Sequence, residues 1–382
     1  MFVWRQKLQP HSELVYMCAV VLLCAIRSVG LGSKEAGVLT AIALLAVLYK
    51  IVLTDYTKKE LIVGAILFGL LGYALVVNGD KMLLMSMIVI WGAKNTDIKR
   101  TLLWCLIVRV PLMAGRILLA VTGVLPGSEN QLLKTNPYLG TSDWVIIRDY
   151  GFYHVNYLYL GLVSIGFLLI ICMAKIEQSN RRLFLLSITG YTALLYMAYK
   201  VLLCRTGFYL WVVLYILILI AELLKPYEKV FNVLLGLVTY VPVILLILCV
   251  TLAIFRKTDL PFTLRYDALF SGRFEHFVPY VSELWKQVFA ASEYLKLDNG
   301  YFYNLYNYGV LWTCLLIFVM SKTLKTLKEG NEYLPVLALV GIAGYMIGEA
   351  TPWSVQWNPA ILLLAYGFFD MKWNQRSVKA ED

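Results

Sequence analysis

Charge is scarce in this chain. Only 15% of its 382 residues are Asp, Glu, Lys or Arg, against about a quarter in soluble globular domains, which excludes a water-soluble core of ordinary make-up. Histidine numbers three, and no two stand at metal-ligand spacing. No closely spaced acidic motif, Gly-rich phosphate loop or nucleotide signature is present either. Direct use of ATP is therefore not expected, nor is a metal or other cofactor. The seven cysteines, at 18, 24, 105, 172, 204, 249 and 314, follow no disulfide or ligand spacing and fall nearly all within apolar runs, as small buried hydrophobes do. The N-terminus, MFVWRQKLQPHSE, is not followed by a small-residue cleavage site after its first apolar stretch, so that stretch is expected to be a retained span.

What the chain does have is apolar length. Sixty per cent of residues are hydrophobic, and runs of roughly 18 or more recur from end to end, the length that crosses a bilayer as a helix. The expected fold is an all-α integral membrane protein, a single polytopic domain over 1–382 with about twelve spans. These lie near 14–31, 36–53, 60–78, 81–93, 101–125, 154–174, 183–199, 207–222, 230–255, 309–321, 333–349 and 359–371. Short connectors on one side carry 19 Lys and Arg, those opposite carry 12, and three arginines lie inside spans, which accounts for all 34. Positive residues stay inside, so both termini are expected in the cytoplasm. The net charge of +10 then reflects membrane orientation rather than nucleic-acid binding.

This topology puts two long connectors outside, 126–153 and 256–308. Long loops in compact proteins are commonly functional. In the second, VPYVSELWKQVFAASEYLKL places Val281, Leu284, Trp285, Val288 and Leu295 at helical spacing, which predicts a helix lying at the membrane surface or packed over the bundle.

Several polar residues call for a reason. Arg27, Arg109 and Arg116 lie at membrane depth, where charge is costly; Arg109 and Arg116, two turns apart on one face, can hold an anion or pair structurally. Arg205, in VLLCRTGFYLW, presents a planar donor fork suited to phosphate oxygens, or anchors the helix at the interface. The large loop holds Arg265, Arg273, His276 and Asp298, with His276 one turn after Arg273 if the segment is helical. Its six basic and six acidic residues are equally those of a solvated loop. RDYGFYHVNY gathers Arg148, Asp149, His154 and Asn156 at the lip of a span.

Taken together, GFYHVN before a span, CRTGF opening a later one, SGR in a long outer loop and LDNGYFYNLYNYG leading into the next span resemble polysaccharide repeat-unit polymerases of the Wzy type, across residues 60–320. The resemblance implies a C-type glycosyltransferase-like fold shared with O-antigen ligases, with the large extracytoplasmic loop before the tenth span. It implies a metal-independent reaction on the outer face of the bacterial cytoplasmic membrane, in which a growing glycan passes from undecaprenyl diphosphate to a new lipid-linked repeat unit. Arg205 and Arg273 are then the expected diphosphate ligands. Asp298 stands where ligases of the superfamily carry a histidine, as a candidate base for the acceptor hydroxyl. His154 and Asn156 fit glycan binding, although Val155 replaces a proline common in relatives. Arg148, Arg109, Arg116, Arg265, His276, Asn299 and Tyr301 complete the expected substrate-binding set. Membrane lipid, a polysaccharide co-polymerase and a flippase are the implied partners. The rivals are a ligase using similar residues, a lipid-linked oligosaccharide flippase or transporter, and a membrane O-acyltransferase using His154.

Overall fold

The computed structural model describes residues 2–31, 33–125, 129–135, 142–152, 154–258, 260–270, 272–369, 371 and 373. Ser271 of SGR, Tyr153 of GFYHVN, parts of the first long connector and the basic tail after 373 lie outside the described residues.

Helices form wherever an apolar run lets the backbone satisfy its own hydrogen bonds without water. In chain order they are α1 (Phe2–Ser28), α2 (Ser33–Leu53), α3 (Lys58–Asn78), α4 (Met82–Gly92) and α5 (Ile98–Val121), then α6 (Val155–Cys172), α7 (Ala174–Ser179), α8 (Arg181–Leu202) and α9 (Arg205–Leu224). They continue as α10 (Glu228–Val238), α11 (Val241–Arg256), α12 (Pro261–Leu269), α13 (Val278–Val281), α14 (Gly300–Asn307), α15 (Gly309–Glu329), α16 (Tyr333–Tyr345) and α17 (Ala365–Phe368), the last preceded by a 3-10 stretch, Pro359–Leu364. Among the described residues eight helices are long and apolar enough to cross a membrane: α1, α2, α3, α5, α6, α8, α9 and α15. The pair α10 and α11, bent by 48°, makes a ninth if it is one span. The expected spans at 81–93, 333–349 and 359–371 meet shorter apolar helices, Met82–Gly92, Tyr333–Tyr345 and Pro359–Phe368. At 1.5 Å per residue none of these three reaches the ~30 Å of a hydrocarbon core.

Equal hydrophobicity serves two ends. In α6 nearly every side chain is buried, Tyr159, Leu160, Val163 and Phe167 among them, whereas α3 leaves Ile62 61% and Val76 85% exposed. A helix apolar all round is enclosed by protein in the first case and suits lipid in the second. Helices α6 and α16 form the buried centre, with α9, α11 and α15 around them. Short polar connectors close the ends. Thr57 caps α3 in a reciprocal capping box with Glu60, and Glu60 takes Lys94 at 2.6 Å, which ties the start of α3 to the end of α4.

The architecture is helical, as expected, with one hairpin in the first long connector, where β1 (Glu129–Thr135) and β2 (Ser142–Arg148) pair antiparallel, Glu129 opposite Arg148. One expectation is corrected: 278–297 is not one surface helix. It breaks into α13 and a 3-10 turn at Leu284–Lys286, then runs as an irregular, bent segment beside the start of the next span. There the carbonyls of Gln287 and Val288 accept from the Val310 and Leu311 amides at 3.0 and 3.1 Å, and the Ala291 amide donates to Tyr306 O at 3.2 Å. Asn307 completes the tie, accepting from Leu295 N at 2.9 Å and donating to Leu295 O at 2.8 Å. Tertiary partners claim the backbone groups that a helix would have used.

Candidate active site

One cavity of about 240 Å³ opens where the first turns of α6 and α9 meet the loops before α14 and after α16. Its wall takes His154 and Asn156 from the first of these turns, Cys204 to Gly207 from the second, Arg273 from the large loop, Asp298, Tyr345 from the end of α16 and Glu349 from the segment after it. Five side chains expected from sequence, Arg205, Arg273, Asp298, His154 and Asn156, therefore share one space although they are up to 144 positions apart. Two helix N-termini face it, and each adds a partial positive charge to that of the arginines.

Local sequence explains how each group is placed. His154 is the N-cap of α6: its backbone is extended and its Nδ1 accepts the Asn156 amide at 3.1 Å, so in the neutral ring the proton sits on Nε2. Asn156 Oδ1 accepts from the Cys204 thiol at 3.3 Å, which links the two first turns. In the RTG motif, Gly207 matters for approach. A Cβ there would stand 2.6 Å from Tyr345 Oη and 2.7 Å from Tyr159 Cδ1, so only glycine lets α9 close on α6 and α16. Gly207→Ala is expected to cost ~1–3 kcal/mol by overpacking, measurable as a lower unfolding temperature in detergent; unchanged stability would show that the contact yields.

Arg273 is 8% exposed. Its Nη1 donates to Phe270 O at 2.9 Å and to Thr206 Oγ1 at 3.2 Å, and Nη2 reaches Glu349 Oε1 at 3.2 Å. Its buried Nε has no hydrogen-bond partner among the described residues. The turn that presents Arg273 is held by Asp267, whose carboxylate accepts the Phe274 and Glu275 amides at 2.9 and 3.2 Å and the Arg256 Nε at 3.0 Å.

Sequence reasoning missed two residues here. Asp267 has the loop's ordinary acidic look. Glu349 closes the apolar run expected as a span over 333–349, yet α16 stops at Tyr345 and Glu349 follows outside it. Burial, the largest influence, pushes the Glu349 carboxyl up to about 7; Arg273 opposes this and Asp298 adds to it. LDNGY is the part of the sequence that positions it. Asn299 Nδ2 donates to Ile347 O at 2.9 Å, Gly300 N donates to Met346 O at 2.7 Å, and a Cβ on Gly300 would lie 2.9 Å from Glu349 O.

The other expected ligands are placed elsewhere. Asn299 caps α14, accepting from the Tyr301 and Phe302 amides, and is buried; Tyr301 is buried with its hydroxyl on Ala343 O at 2.9 Å. Both brace the site and do not line it. Arg109 and Arg116 do share a face of α5, but that face packs on α1. Arg109 is wholly buried with Nη1 3.5 Å from Cys24 Sγ, while Arg116 binds the carbonyls of Val29 and Gly151 and lies 5.4 Å over the Phe152 ring. Arg148 is exposed and paired across the hairpin with Glu129 at 2.6 Å. Arg265 and His276 are exposed and away from the cavity, and His276 does not share a helical face with Arg273, since Arg273 sits in a turn before the 3-10 helix Glu275–Phe277. Among the described residues no group of three or more His, Cys, Asp or Glu is placed to hold a metal ion.

The arrangement is a small anion-receptive chamber with two guanidinium groups and two carboxylates. Its cations can receive an anion, and its carboxylates can accept a proton. Set against known families, curated proteins and solved structures, the chain matches none.

Proposed function

We propose that the protein is a polysaccharide polymerase of the Wzy type, a glycosyltransferase that passes a growing glycan from undecaprenyl diphosphate to a new lipid-linked repeat unit. In this reading the chain is a twelve-span protein of the bacterial cytoplasmic membrane with both termini inside and the cavity facing outward, fed by a flippase and accompanied by a co-polymerase. The observation that supports it is the meeting of Arg205, Arg273, Asp298, His154 and Asn156, drawn from four separated motifs, around one cavity.

The chemistry follows from the charges. The acceptor hydroxyl oxygen attacks the anomeric carbon of the donor sugar, and the bond from that carbon to the diphosphate oxygen breaks with its electron pair left on the diphosphate. Negative charge grows on the leaving group, where Arg205, Arg273 and the N-terminal dipoles of α6 and α9 stabilise it. Asp298, exposed at the cavity wall, accepts the hydroxyl proton. His154 and Asn156 bind sugar hydroxyls.

The test is incubation of the purified protein with one defined undecaprenyl-diphosphate-linked repeat unit as the sole substrate. A ladder of longer lipid-linked glycans is expected. Single block transfer to a different acceptor would make the protein a ligase, and translocation in vesicles without elongation would make it a transporter. Gain of an acyl group without a new glycosidic linkage would point to an acyltransferase.

A further inference from the structure

Glu349 occupies the very cation that the leaving group would need. Its carboxylate lies 3.2 Å from Arg273 Nη2, and the two side chains are 13% and 8% exposed. A diphosphate seated on Arg273 would thus meet an anion already there, and two anions in a buried site repel strongly unless one takes up a proton. The backbone of 346–349 cannot retreat, because Asn299 and Gly300 hold Ile347 O and Met346 O.

Resting on the diphosphate clamp proposed above, we infer that Glu349 is a built-in counter-ion which an incoming diphosphate displaces from Arg273, taking up one proton from solvent as it is displaced. No covalent bond changes. The carboxylate gains a proton, its side chain swings off the guanidinium, and the site exchanges one internal anion for the external one.

The surroundings favour this. Burial, the largest influence, pushes the Glu349 carboxyl up to about 7, which lowers the cost of neutralising it near physiological pH. Asp298 adds repulsion to its ionised form, and the remaining titratable or charged groups of the wall, Arg205, Cys204, His154, Tyr159 and Tyr345, come from the start of α9, from α6 and its cap, and from the end of α16. Of these only Arg205 is a permanent cation. Once the diphosphate claims Arg273, the strongest influence holding Glu349 ionised is gone. The exchange would keep the empty cavity electrically balanced and reserve its full positive charge for a ligand that brings its own.

Calorimetric titration of the purified full chain in detergent with farnesyl diphosphate, in two buffers of different ionisation enthalpy, tests the exchange. At pH 8 a carboxyl titrating at about 7 is about nine-tenths ionised, so if only the neutral form admits the ligand, Glu349→Gln binds about tenfold more tightly than wild type. The ratio shrinks towards one near pH 6, where both proteins are largely neutral at this position. The ligand's own titration is common to both and cancels. Wild type is expected to take up close to one proton more than the variant at pH 8. Equal or weaker binding by Glu349→Gln at pH 8 would overturn the inference and leave Glu349 as a brace for Arg273. If the variant does not fold, wild-type proton uptake decides: close to one per ligand at pH 8 supports the exchange, and none overturns it. Binding unaffected by Arg273→Ala sinks the clamp and the exchange together, whereas tighter binding by Glu349→Gln in a protein that never elongates glycans sinks the polymerase reading alone.

Discussion

Under the polymerase proposal, replacing Arg273 with alanine is expected to slow elongation of a lipid-linked repeat unit on the order of 10²–10³-fold, the loss seen when one preorganised donor is removed from developing transition-state charge. The side chain is suited to that position. It is buried, lines the cavity and is anchored through Nη1 to Phe270 O and Thr206 Oγ1. Because it is fixed before substrate arrives, little reorganisation is needed as charge moves onto the diphosphate. The loss should fall on kcat more than on KM, since the interaction strengthens as the bond breaks. Arg273→Lys should recover little, because an ammonium supplies charge without the planar fork that grips two oxygens. Steady-state elongation rates for both variants check this. Wild-type turnover by both Arg273→Ala and Arg205→Ala would end the clamp proposal.

Asp267→Ala is expected to destabilise the protein by ~3–5 kcal/mol. The carboxylate is 3% exposed and answers three donors at once, Arg256 Nε and the amides of Phe274 and Glu275. Without it the Arg256 guanidinium, 7% exposed, is left with the solvent-facing Glu275 at 3.2 Å as its carboxylate contact. The turn carrying Arg273 loses its two anchoring acceptors in the same stroke. Asp267→Asn retains one acceptor oxygen and should fall between the two. Unfolding in detergent measures the stability change, and diphosphate binding reports whether Arg273 is still presented. A stable Asp267→Ala protein that binds normally would show that the turn is held by other means.

The apolar helices were legible because a bilayer asks for a simple pattern, and apolar length shows it directly. The four polar motifs were legible because each interrupts that pattern between or at the ends of apolar runs, and because they recur in an order that a single local charge would not explain. What could not be read was partnership. Arg109 and Arg116 carry the same spacing whether they grip a ligand or neighbouring segments, and they grip α1, the turn after it and the loop before α6. The periodicity of 278–297 was real, yet Asn307, Val310 and Leu311 capture its backbone, a competition between distant segments that no local window contains. Glu349 was hidden by an apolar run that, as a helix, ends four residues before it. Asn299 belongs to the right neighbourhood but serves it from behind. With Gly300 it holds the segment on which the Glu349 carboxylate is mounted, and a hydrogen bond of that kind leaves no trace in the motif itself.

The size of the chamber has a bearing on how a polymer would grow. At about 240 Å³ it falls below the ~300–1,000 Å³ of ordinary small-molecule sites. It has room for the breaking linkage and its nearest atoms, while the rest of both glycans must lie outside it. In the polymerase reading, the first addition and the last would then present the same face to the same walls. Such an enzyme has no internal ruler: the spread of product lengths would be governed by how long each chain lingers at the membrane between additions, a residence time that an accompanying protein can tune without touching the chemistry.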